Sequence, residues 1–503
     1  MSADTGTATD TVSATGEAPA PAEPATTPVR TIVLGTVGSV LLLLGGMGAA
    51  AGVLDDPVMS ADALSWLRYG HGRMFATLVV YVGFALMVWA WVRLGRGVLA
   101  RRYETRPVLV AAACWTAPLL LAPALFTRDV YSYLAQGAIA LAGLDPFTVG
   151  PTVLDSPELI ENVHPFWQDQ PAPYGPLFIL LTKATVWLTG TDIVAGVLLT
   201  RLTQLVGLGL LLWALPGLVR HLGGRLPVAA WMLLAGPLTV VHLVGGPHND
   251  LMMIGFMAAG AVLVLDRHHV AGIALVTLGV AVKASAAVAL PFLVWVWAGH
   301  LSSTRWRAFV RACAGAVAVF GAVFAAVTVL AGVDLGWVTM LNASSRLVNW
   351  LSVPTAAGEV LHGIIGIAVD VPRDWVITVT RLLGTALLLY VVVRQWWRAR
   401  DGGPDAVRRA AIALFAVALL SPTMLPWYLT WGLALAAGLP WKPRRLAVFV
   451  GVSAFMVAPY SADGETLLYV WPWMFLAIAL SVLAAVSLVR PDPLRWAIRP
   501  VRD

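Results

Sequence analysis

Two short polar stretches interrupt this apolar chain, and both carry side chains that can exchange protons or donate hydrogen bonds. The first is "TRDVYSYLAQG", in which Arg128 and Asp129 precede Tyr131 and Tyr133 at the end of an apolar run. A carboxylate held near the membrane surface can take a proton from a hydroxyl bound against it. The alternative is that Asp129 caps a helix over Val130–Leu141, because Asp favours N-terminal positions. The two interpretations are compatible, and we expect Arg128, Tyr131 and Tyr133 to bind a substrate beside Asp129.

The second polar stretch is "GGPHNDLMM", which places His248, Asn249 and Asp250 between two apolar helices. Three consecutive polar side chains can converge on one pocket with Asp129, and we expect them to hydrogen-bond a substrate. One histidine and one aspartate are too few ligands to indicate a metal site. The alternative is that the three residues break one helix and cap the next.

Basic side chains in apolar surroundings are costly and usually face a cavity or a partner. Lys283 lies between two short apolar runs, and we expect it, with Arg346 and Arg381, to bind a phosphate. Arg201, inside a predicted helix, is a further candidate for that role. For Lys283 the alternative is that it extends to the outer interface, which is cheap for a lysine.

A further stretch, "HPFWQDQPAPYGP", concentrates aromatic, proline and polar residues and could form a wall of a binding site, with Tyr174 among its members. A loop packed on the helices explains it equally well. Asp55 and Asp56, in the first loop after an apolar run, are rivals to Asp129, although an Asp-Pro turn accounts for Asp56 without a function.

The elements that must position these residues are membrane helices. Of the 503 residues, 59% are hydrophobic and 12% are charged, and the mean hydropathy is +0.80. Soluble domains are about 25% charged, and apolar runs long enough to cross a bilayer recur after residue 30. The sequence therefore predicts an all-α polytopic membrane protein of about 14 transmembrane helices. The predicted spans are 30–53, 74–95, 108–126, 192–218, 228–246, 251–266, 270–283, 285–300, 312–331, 378–394, 410–427, 428–440, 446–460 and 469–489.

The two ends of the chain differ from this body. Residues 1–29 consist mainly of Ala, Thr, Pro and acidic residues, which cannot form a packed core, so we expect a disordered cytoplasmic tail. Residues 491–503 form a cytoplasmic C-terminal tail, and residues 30–490 form the transmembrane module. Cys114 and Cys313 both fall in predicted helices, which argues against a disulfide framework or a cysteine metal site.

The net charge of +6 follows from membrane topology rather than from nucleic-acid binding. With the N-terminus in the cytoplasm, most of the 33 Lys and Arg residues fall on the cytoplasmic side, as the positive-inside rule requires. This threading leaves two long exoplasmic segments, 127–191 and 332–377. Within the first, Tyr174–Gly190 is predicted as an amphipathic helix at the outer interface. No sequence repeat relates the two halves of the chain. Many transporters are built from two such related halves.

The stretches "TRDVYSYLAQG", "AGLDPFTVGP", "YGPL", "GGPHNDLMMIGFMAAG" and "AVKASAAVALPFLVW" together resemble the actinobacterial α-1,6-mannopyranosyltransferases of the MptA/MptB type, which belong to the GT-C superfamily of glycosyltransferases. The resemblance covers roughly residues 30 to 490. The Ala/Pro/Thr tail favours the MptB type over the MptA type.

The resemblance implies a GT-C-like bundle whose exoplasmic loops carry interfacial helices, in the plasma membrane and with the active site on the outer side. The implied donor is polyprenyl-phosphate-mannose, and the acceptor is a phosphatidylinositol mannoside or a lipid-linked mannan. The product would be the α-1,6-mannan core of lipomannan and lipoarabinomannan. By match to the family, Asp129 is the catalytic aspartate of the first exoplasmic loop. Two helices precede that module here, which keeps Asp55 and Asp56 in contention.

The residues fit this chemistry without any cofactor, although they leave a metal requirement open. Inversion at the sugar carbon needs one carboxylate as base and no covalent intermediate. The leaving phosphate needs positive charge, which Arg128, Lys283, Arg346 or Arg381 could supply. Two alternatives stay open: a related GT-C transferase that uses polyprenyl-phosphate-arabinose, and a transporter or flippase for a lipid-linked sugar.

Overall fold

A computed structural model describes residues 27–53, 59, 62–340 and 347–490. The described part is helical, with two isolated β-bridges and no strand. Its longer α-helices in chain order are α1 Val29–Ala49, α2 Gly70–Leu99, α3 Thr105–Thr116, α4 Asp129–Leu141, α5 Pro176–Thr189, α6 Ile193–Leu222, α7 Leu226–Leu233, α8 Asp250–Leu265 and α9 His269–Val282. The remainder are α10 Leu290–Gly299, α11 Arg305–Ala331, α12 Val353–Ile365, α13 Arg373–Arg398, α14 Gly403–Leu420, α15 Leu429–Ala436, α16 Pro443–Phe455 and α17 Trp471–Val489.

Short helical segments connect these helices. Four are single α-helical turns or little more, namely Asp62–Ser65, Pro157–Asn162, Pro165–Gln168 and Trp337–Met340. Five are 3₁₀ segments, namely Trp66–Arg68, Ala117–Leu121, Pro151–Val153, Ala284–Ala289 and Pro426–Tyr428. A π-helix spans Leu238–Gly245 and continues α7 after a bend of 45°.

Six of the described helices are long and apolar enough to cross a membrane, or seven if α7 and the π-helix form one bent span. The six are α1, α2, α6, α11, α13 and α17. Such a set defines an all-α, multi-pass membrane protein. Each of the fourteen predicted spans overlaps at least one helix, whereas the number of crossings stays a prediction.

The predicted span 108–126 is wrong in its second half. The α-helix ends at Thr116, and a 3₁₀ segment continues only to Leu121. Pro118 and Pro123 explain the difference, because proline lacks the N–H that an α-helix needs and its ring obstructs the preceding turn. Residues 122–128 are therefore free of the helix, and they connect it to Asp129.

The core of the bundle is held by close helix contacts and paired indoles. Trp91 and Trp231 stack at 5.2 Å, and each indole N–H donates to the other residue's carbonyl, at 2.9 and 2.8 Å. On the other side, α6 and α8 approach so closely that a Cβ on Gly255 would lie 2.4 Å from the Gly207 carbonyl oxygen. Small residues at such crossings let two membrane helices pack backbone to backbone.

The segment 127–191, predicted to be exoplasmic, is folded onto this bundle rather than extended from it. Helix α5 confirms the helix predicted over Tyr174–Gly190, and its buried face packs on α4. Trp187 and Leu188 lie on its exposed face. Helix α4 therefore lies between α5 and the bundle. This packing fixes the first turn of α4, where Asp129 lies.

Candidate active site

Asp129 is the first residue of α4, and it does not cap that helix. The N-cap position is Arg128, which makes no side-chain capping hydrogen bond. The Asp129 N–H instead donates to the Thr127 hydroxyl at 3.1 Å. The interpretation of Asp129 as the N-cap is therefore wrong. Its carboxylate lies in the first turn, where the helix dipole favours a negative charge.

The chain just before Asp129 is held in an unusual conformation. Phe126 has φ 59°, in the left-handed region that bulky side chains rarely adopt. Two backbone hydrogen bonds anchor this turn, from the Phe126 N–H to the Ala462 carbonyl at 2.9 Å and from the Leu125 N–H to the Gly245 carbonyl at 3.2 Å. Strained residues persist where the surrounding structure fixes them, often at functional sites. This turn joins three distant parts of the chain at Asp129.

His248 is the residue that contacts the Asp129 carboxylate. Its Nδ1 lies 3.4 Å from Asp129 Oδ2, within ion-pair distance but without the alignment of a hydrogen bond. The His248 side chain is fully buried, whereas that of Asp129 is 19% exposed. The imidazole stacks on Trp427 with centroids 3.6 Å apart. His248 therefore lies behind Asp129, and Asp129 alone of the pair is open to a ligand.

The surroundings of Asp129 favour its ionised form. Burial is the largest single influence and raises the pKa of the carboxyl group, whereas the close contact with His248 lowers it. Positive charge from Lys283 and His164 acts in the same direction. The net result is a pKa below the ordinary value of 3.8. Asp129 is thus a carboxylate at neutral pH, as a base must be.

Asp129 opens into a cavity of about 280 Å³. The lining residues come from five separate parts of the chain, and many are aromatic. They are Phe126, Thr127, Arg128, Asp129, His164, Phe166, Trp167, Leu347, Val348, Asn349, Leu425, Trp427, Tyr460, Gly464, Glu465, Thr466 and Tyr469. The stretch "HPFWQDQ" thus contributes three residues to the wall, as the sequence suggested.

Arg128 lines the same cavity and also a smaller neighbouring one of about 150 Å³. Its Nε donates to the Asp463 carbonyl at 3.3 Å, and its guanidinium lies 3.9 Å from a carboxylate oxygen of Glu465. Arg128 is the one Lys or Arg among the described lining residues of the Asp129 cavity. It places a guanidinium in the wall of this cavity, near the carboxylate of Glu465.

The three candidate tyrosines lie outside that cavity. The Tyr131 hydroxyl donates to the Ala51 carbonyl, and its side chain lines the smaller cavity instead. Tyr133 and Tyr174 pack edge to face with ring centroids 5.2 Å apart. Burial, with the nearby Tyr174 phenol and the Asp129 carboxylate, raises the pKa of Tyr133 well above its usual value. These tyrosines form the packing beneath α4.

Asp250 and Lys283 pair with each other in the interior. Lys283 Nζ lies 2.8 Å from Asp250 Oδ2, and the Trp431 indole N–H donates to Asp250 Oδ1 at 2.5 Å. Asp250 is fully buried, and Lys283 also lies over the Tyr428 ring at 5.0 Å. The neighbouring Asn249 is fully buried too, and its amide has no partner among the described residues. None of the three lines the cavity of Asp129.

The other basic candidates are separated from Asp129 or lie outside the described residues. Arg381 donates to the Leu347 carbonyl at 2.7 Å and to the Thr355 hydroxyl at 3.0 Å, so it holds a cavity residue rather than lining the cavity. Arg201 is buried and donates to four backbone carbonyls, those of Leu120, Pro123, Val244 and Gly245. That arrangement is structural. Arg346, Asp55 and Asp56 fall outside the described residues.

Sequence reasoning missed the loop after α16. It brings Tyr460, Glu465 and Tyr469 to the cavity, while Asp463 of the same loop pairs with Arg73 at 2.5 Å. The signal was present in "APYSADGETLLY", a polar interruption between two apolar runs. This is the pattern that identified Asp129. Among the described residues, no group of three or more His, Cys, Asp or Glu side chains could hold a metal ion.

Comparison with known proteins identifies the family of this chain. Residues 32–299 match the model of the alpha-(1->6)-mannopyranosyltransferase N-terminal domain, and residues 354–490 match the MptB C-terminal domain. The chain is 41% identical over 464 residues to alpha-(1->6)-mannopyranosyltransferase A of Mycobacterium tuberculosis, covering 91% of this chain and 90% of that protein. No solved structure gives a significant match.

Two relatives from Corynebacterium glutamicum bear on the subtype. Alpha-(1->6)-mannopyranosyltransferase A is 31% identical, covering 89% of this chain and 96% of the relative. Alpha-(1->6)-mannopyranosyltransferase B is 29% identical, covering 85% and 75%. Identity to the M. tuberculosis A-type relative is higher than to this B-type protein, so these identities give no support to the preference for the B type drawn from the N-terminal tail.

An apolar helical bundle with an ionised carboxylate in an aromatic cavity defines a membrane-embedded enzyme. The family match, together with 41% identity over 91% of the chain, specifies the kind of enzyme. The chain belongs to the α-(1→6)-mannopyranosyltransferase family of the MptA/MptB type, and it is a mannosyltransferase.

Proposed function

We propose that this chain transfers mannose from polyprenyl-phosphate-mannose to a lipid-anchored mannoside with inversion at the anomeric carbon. The product is the α-1,6-mannan core of lipomannan and lipoarabinomannan. The observation that carries the proposal is the Asp129 carboxylate, which opens beside Arg128 into an aromatic cavity of about 280 Å³. That volume is just below the range of ligand pockets, about 300–1,000 Å³. Its polar lining, which includes Asp129, Asn349 and Glu465, suits a sugar better than a lipid chain.

In the proposed reaction, Asp129 takes the proton of the acceptor's 6-hydroxyl as that oxygen attacks C1 of the donor mannose. The C1–O bond to the phosphate breaks, and its electron pair leaves with the polyprenyl phosphate. Arg128 stabilises the negative charge that develops there. Lys283 and Arg381 do not line the cavity of Asp129, whereas Arg128 does, so Arg128 is the best-placed described cation even with Glu465 3.9 Å from its guanidinium. Arg346 stays a predicted phosphate ligand.

A separate cavity of about 300 Å³ suits the prenyl chain of the donor. Its walls are almost entirely apolar and come mainly from α2 and α17. Ala458 lines this cavity, and Tyr460, two residues further on, lines the cavity of Asp129. The Trp473 indole lines the apolar cavity and donates to the Ala458 carbonyl at 2.8 Å. Because Ala458 and Tyr460 are two residues apart, the two cavities lie close enough for one donor to place its lipid in the first and its sugar in the second.

The proposal includes a GT-C-like bundle of about 14 crossings in the plasma membrane, with both termini cytoplasmic and Asp129 on the exoplasmic side. Two observations support it. The basic clusters follow the threading that the positive-inside rule requires. Asp129, Leu347 and Glu465 line one cavity, although each lies in a segment that follows a different apolar run.

The test is sugar transfer by the purified protein in liposomes. Radiolabelled polyprenyl-phosphate-mannose or polyprenyl-phosphate-arabinose is supplied with a phosphatidylinositol-mannoside acceptor, and the products are separated by chain length. We expect mannose transfer with a new α-1,6 linkage and no arabinose transfer. Transfer of arabinose alone would overturn the proposed donor. Movement of the donor between leaflets without transfer would favour a flippase.

A further inference from the structure

The largest of the cavities described here lies at the end of the bundle opposite to Asp129. It has a volume of about 500 Å³ and is enclosed by the end of α6, the first half of α14 and the connection from α15 to α16. Helix α14 has 18 residues, which corresponds to a length of about 27 Å. Beyond its far end, the Thr423 hydroxyl donates to the carbonyl of Leu347, which lines the Asp129 cavity. One cavity therefore lies along α14 and the other lies beyond its far end.

The charges in this cavity are unbalanced. Arg408 and Arg445 line it and are exposed, and neither guanidinium has an ion-pair or hydrogen-bond partner in the part of the chain that the structure describes. The one carboxylate among the described lining residues, Asp405, is taken up by Arg409, whose Nε lies 2.5 Å from its Oδ2. Two arginines are therefore left to face the same space without a counter-charge.

The rest of the lining is apolar. It consists mainly of Leu222, Ile412, Phe415, Ala436 and Leu439. The Trp441 indole N–H is already used by the Ala436 carbonyl at 2.8 Å, so the ring presents apolar surface. A cavity with two guanidinium groups and an apolar side matches an amphiphile with an anionic head.

The position of Arg445 strengthens this argument. It lies in the first turn of α16, together with Arg444. Positive side chains there oppose the positive end of the helix dipole, so an anion bound at the cavity would offset both. Arginines at this end of the bundle also serve membrane topology, as Arg307 and Arg311 on α11 do. Arg408 and Arg445 differ from those two because they line a common cavity.

We propose that this cavity binds the phosphate head of an anionic phospholipid between Arg408 and Arg445, with the upper part of the lipid along Phe415 and Ile412. The site is independent of the proposed sugar transfer. Zwitterionic lipids should bind more weakly, because their phosphate already has a covalently linked cation.

The test is native mass spectrometry of the full chain in detergent with equal amounts of phosphatidylglycerol and phosphatidylcholine of identical acyl chains. We expect the wild-type protein to retain phosphatidylglycerol preferentially. The double variant R408Q/R445Q should lose roughly 30-fold in affinity for it, on the basis of about two surface-charge contacts. Its binding of phosphatidylcholine should not change. The matched control R307Q/R311Q removes two arginines at the same end of the bundle, outside the cavity, and should bind phosphatidylglycerol like the wild type.

Three results would overturn the proposal. The first is wild-type phosphatidylglycerol binding by R408Q/R445Q. The second is an equal loss in R307Q/R311Q, which would mean that general surface charge attracts the lipid. The third is displacement of phosphatidylglycerol by inorganic phosphate at equal concentration, which would indicate a site for small anions. Tryptophan fluorescence unfolding of each variant confirms that the compared proteins are folded.

Discussion

The ion pair between Lys283 and Asp250 allows a sharp test, because the sequence predicted Lys283 as a phosphate ligand while the structure gives it a buried partner. The Lys283→Met substitution keeps most of the side-chain volume and removes the charge. It leaves the Asp250 carboxylate fully buried, with the Trp431 indole as its one remaining described hydrogen-bond partner. Breaking one side of a buried pair costs about 3–5 kcal/mol. Lys283 is 14% exposed, so we expect a loss near the lower end, about 3 kcal/mol.

The double variant Lys283→Met with Asp250→Asn separates the two roles. It removes both charges and keeps the amide oxygen that can accept from Trp431, so the loss should shrink to about 1 kcal/mol. Lys183→Met is the matched control, because Lys183 lies on α5 with no described partner, and it should change stability by less than about 0.5 kcal/mol.

The measurement is the free energy of unfolding in mixed micelles, followed by tryptophan fluorescence, together with donor affinity in native detergent. If the double variant is no more stable than Lys283→Met, the reasoning about a coupled buried pair is refuted. If Lys283→Met keeps its stability and loses donor binding, Lys283 binds phosphate, as the sequence first indicated.

Three other changes probe the site. His248→Phe keeps the stacking on Trp427 and removes the nitrogen next to Asp129, so the pKa of Asp129 should rise. The acid limb of the pH–rate profile should then move to higher pH. An unchanged acid limb would contradict the contact between His248 and Asp129. Gly464 has φ 87°, and Gly464→Ala places a Cβ 2.9 Å from Thr127 Cα. We expect the substitution to displace the turn before Asp129 and to reduce transfer at least tenfold. Unchanged transfer would show that the turn adapts. Ala477→Leu narrows the apolar cavity, so the KM should rise for a long-chain polyprenyl donor and not for a short-chain one. Equal effects on both donors would mean that this cavity does not bind the donor.

The sequence predicted the helices well because apolar runs and prolines determine them locally. The run before Asp129 shows the limit of this approach, since hydropathy extended the helix to residue 126 while proline chemistry ends the α-helix at Thr116. Similarly, the predicted span 446–460 ends as an α-helix at Phe455, shortly before Pro459. Both errors come from weighing apolar character above the loss of a backbone donor.

The partners of the site residues could not be predicted from local pattern. Asp129 and His248 were both identified as candidates, but their contact joins positions more than a hundred residues apart. Lys283 was expected to face a cavity or a partner, and only the packing of α8 against α9 and α15 shows that the partner is Asp250. The polar interruption that carries Glu465 is visible in the sequence, but the local pattern does not show whether such a loop reaches the cavity.

The central claim is that Asp129 acts as the base, and the substitution Asp129→Asn tests it most directly. The amide keeps the size of the side chain beside His248 and cannot accept the acceptor's proton. We predict that mannose transfer falls by about 10²–10⁴-fold, as for loss of a general base, while donor binding and folding are retained. The control Glu465→Gln changes the other described carboxylate of the cavity in the same way and should cost less than about tenfold. Transfer by Asp129→Asn within tenfold of the wild type, or a larger loss in Glu465→Gln, would contradict the account.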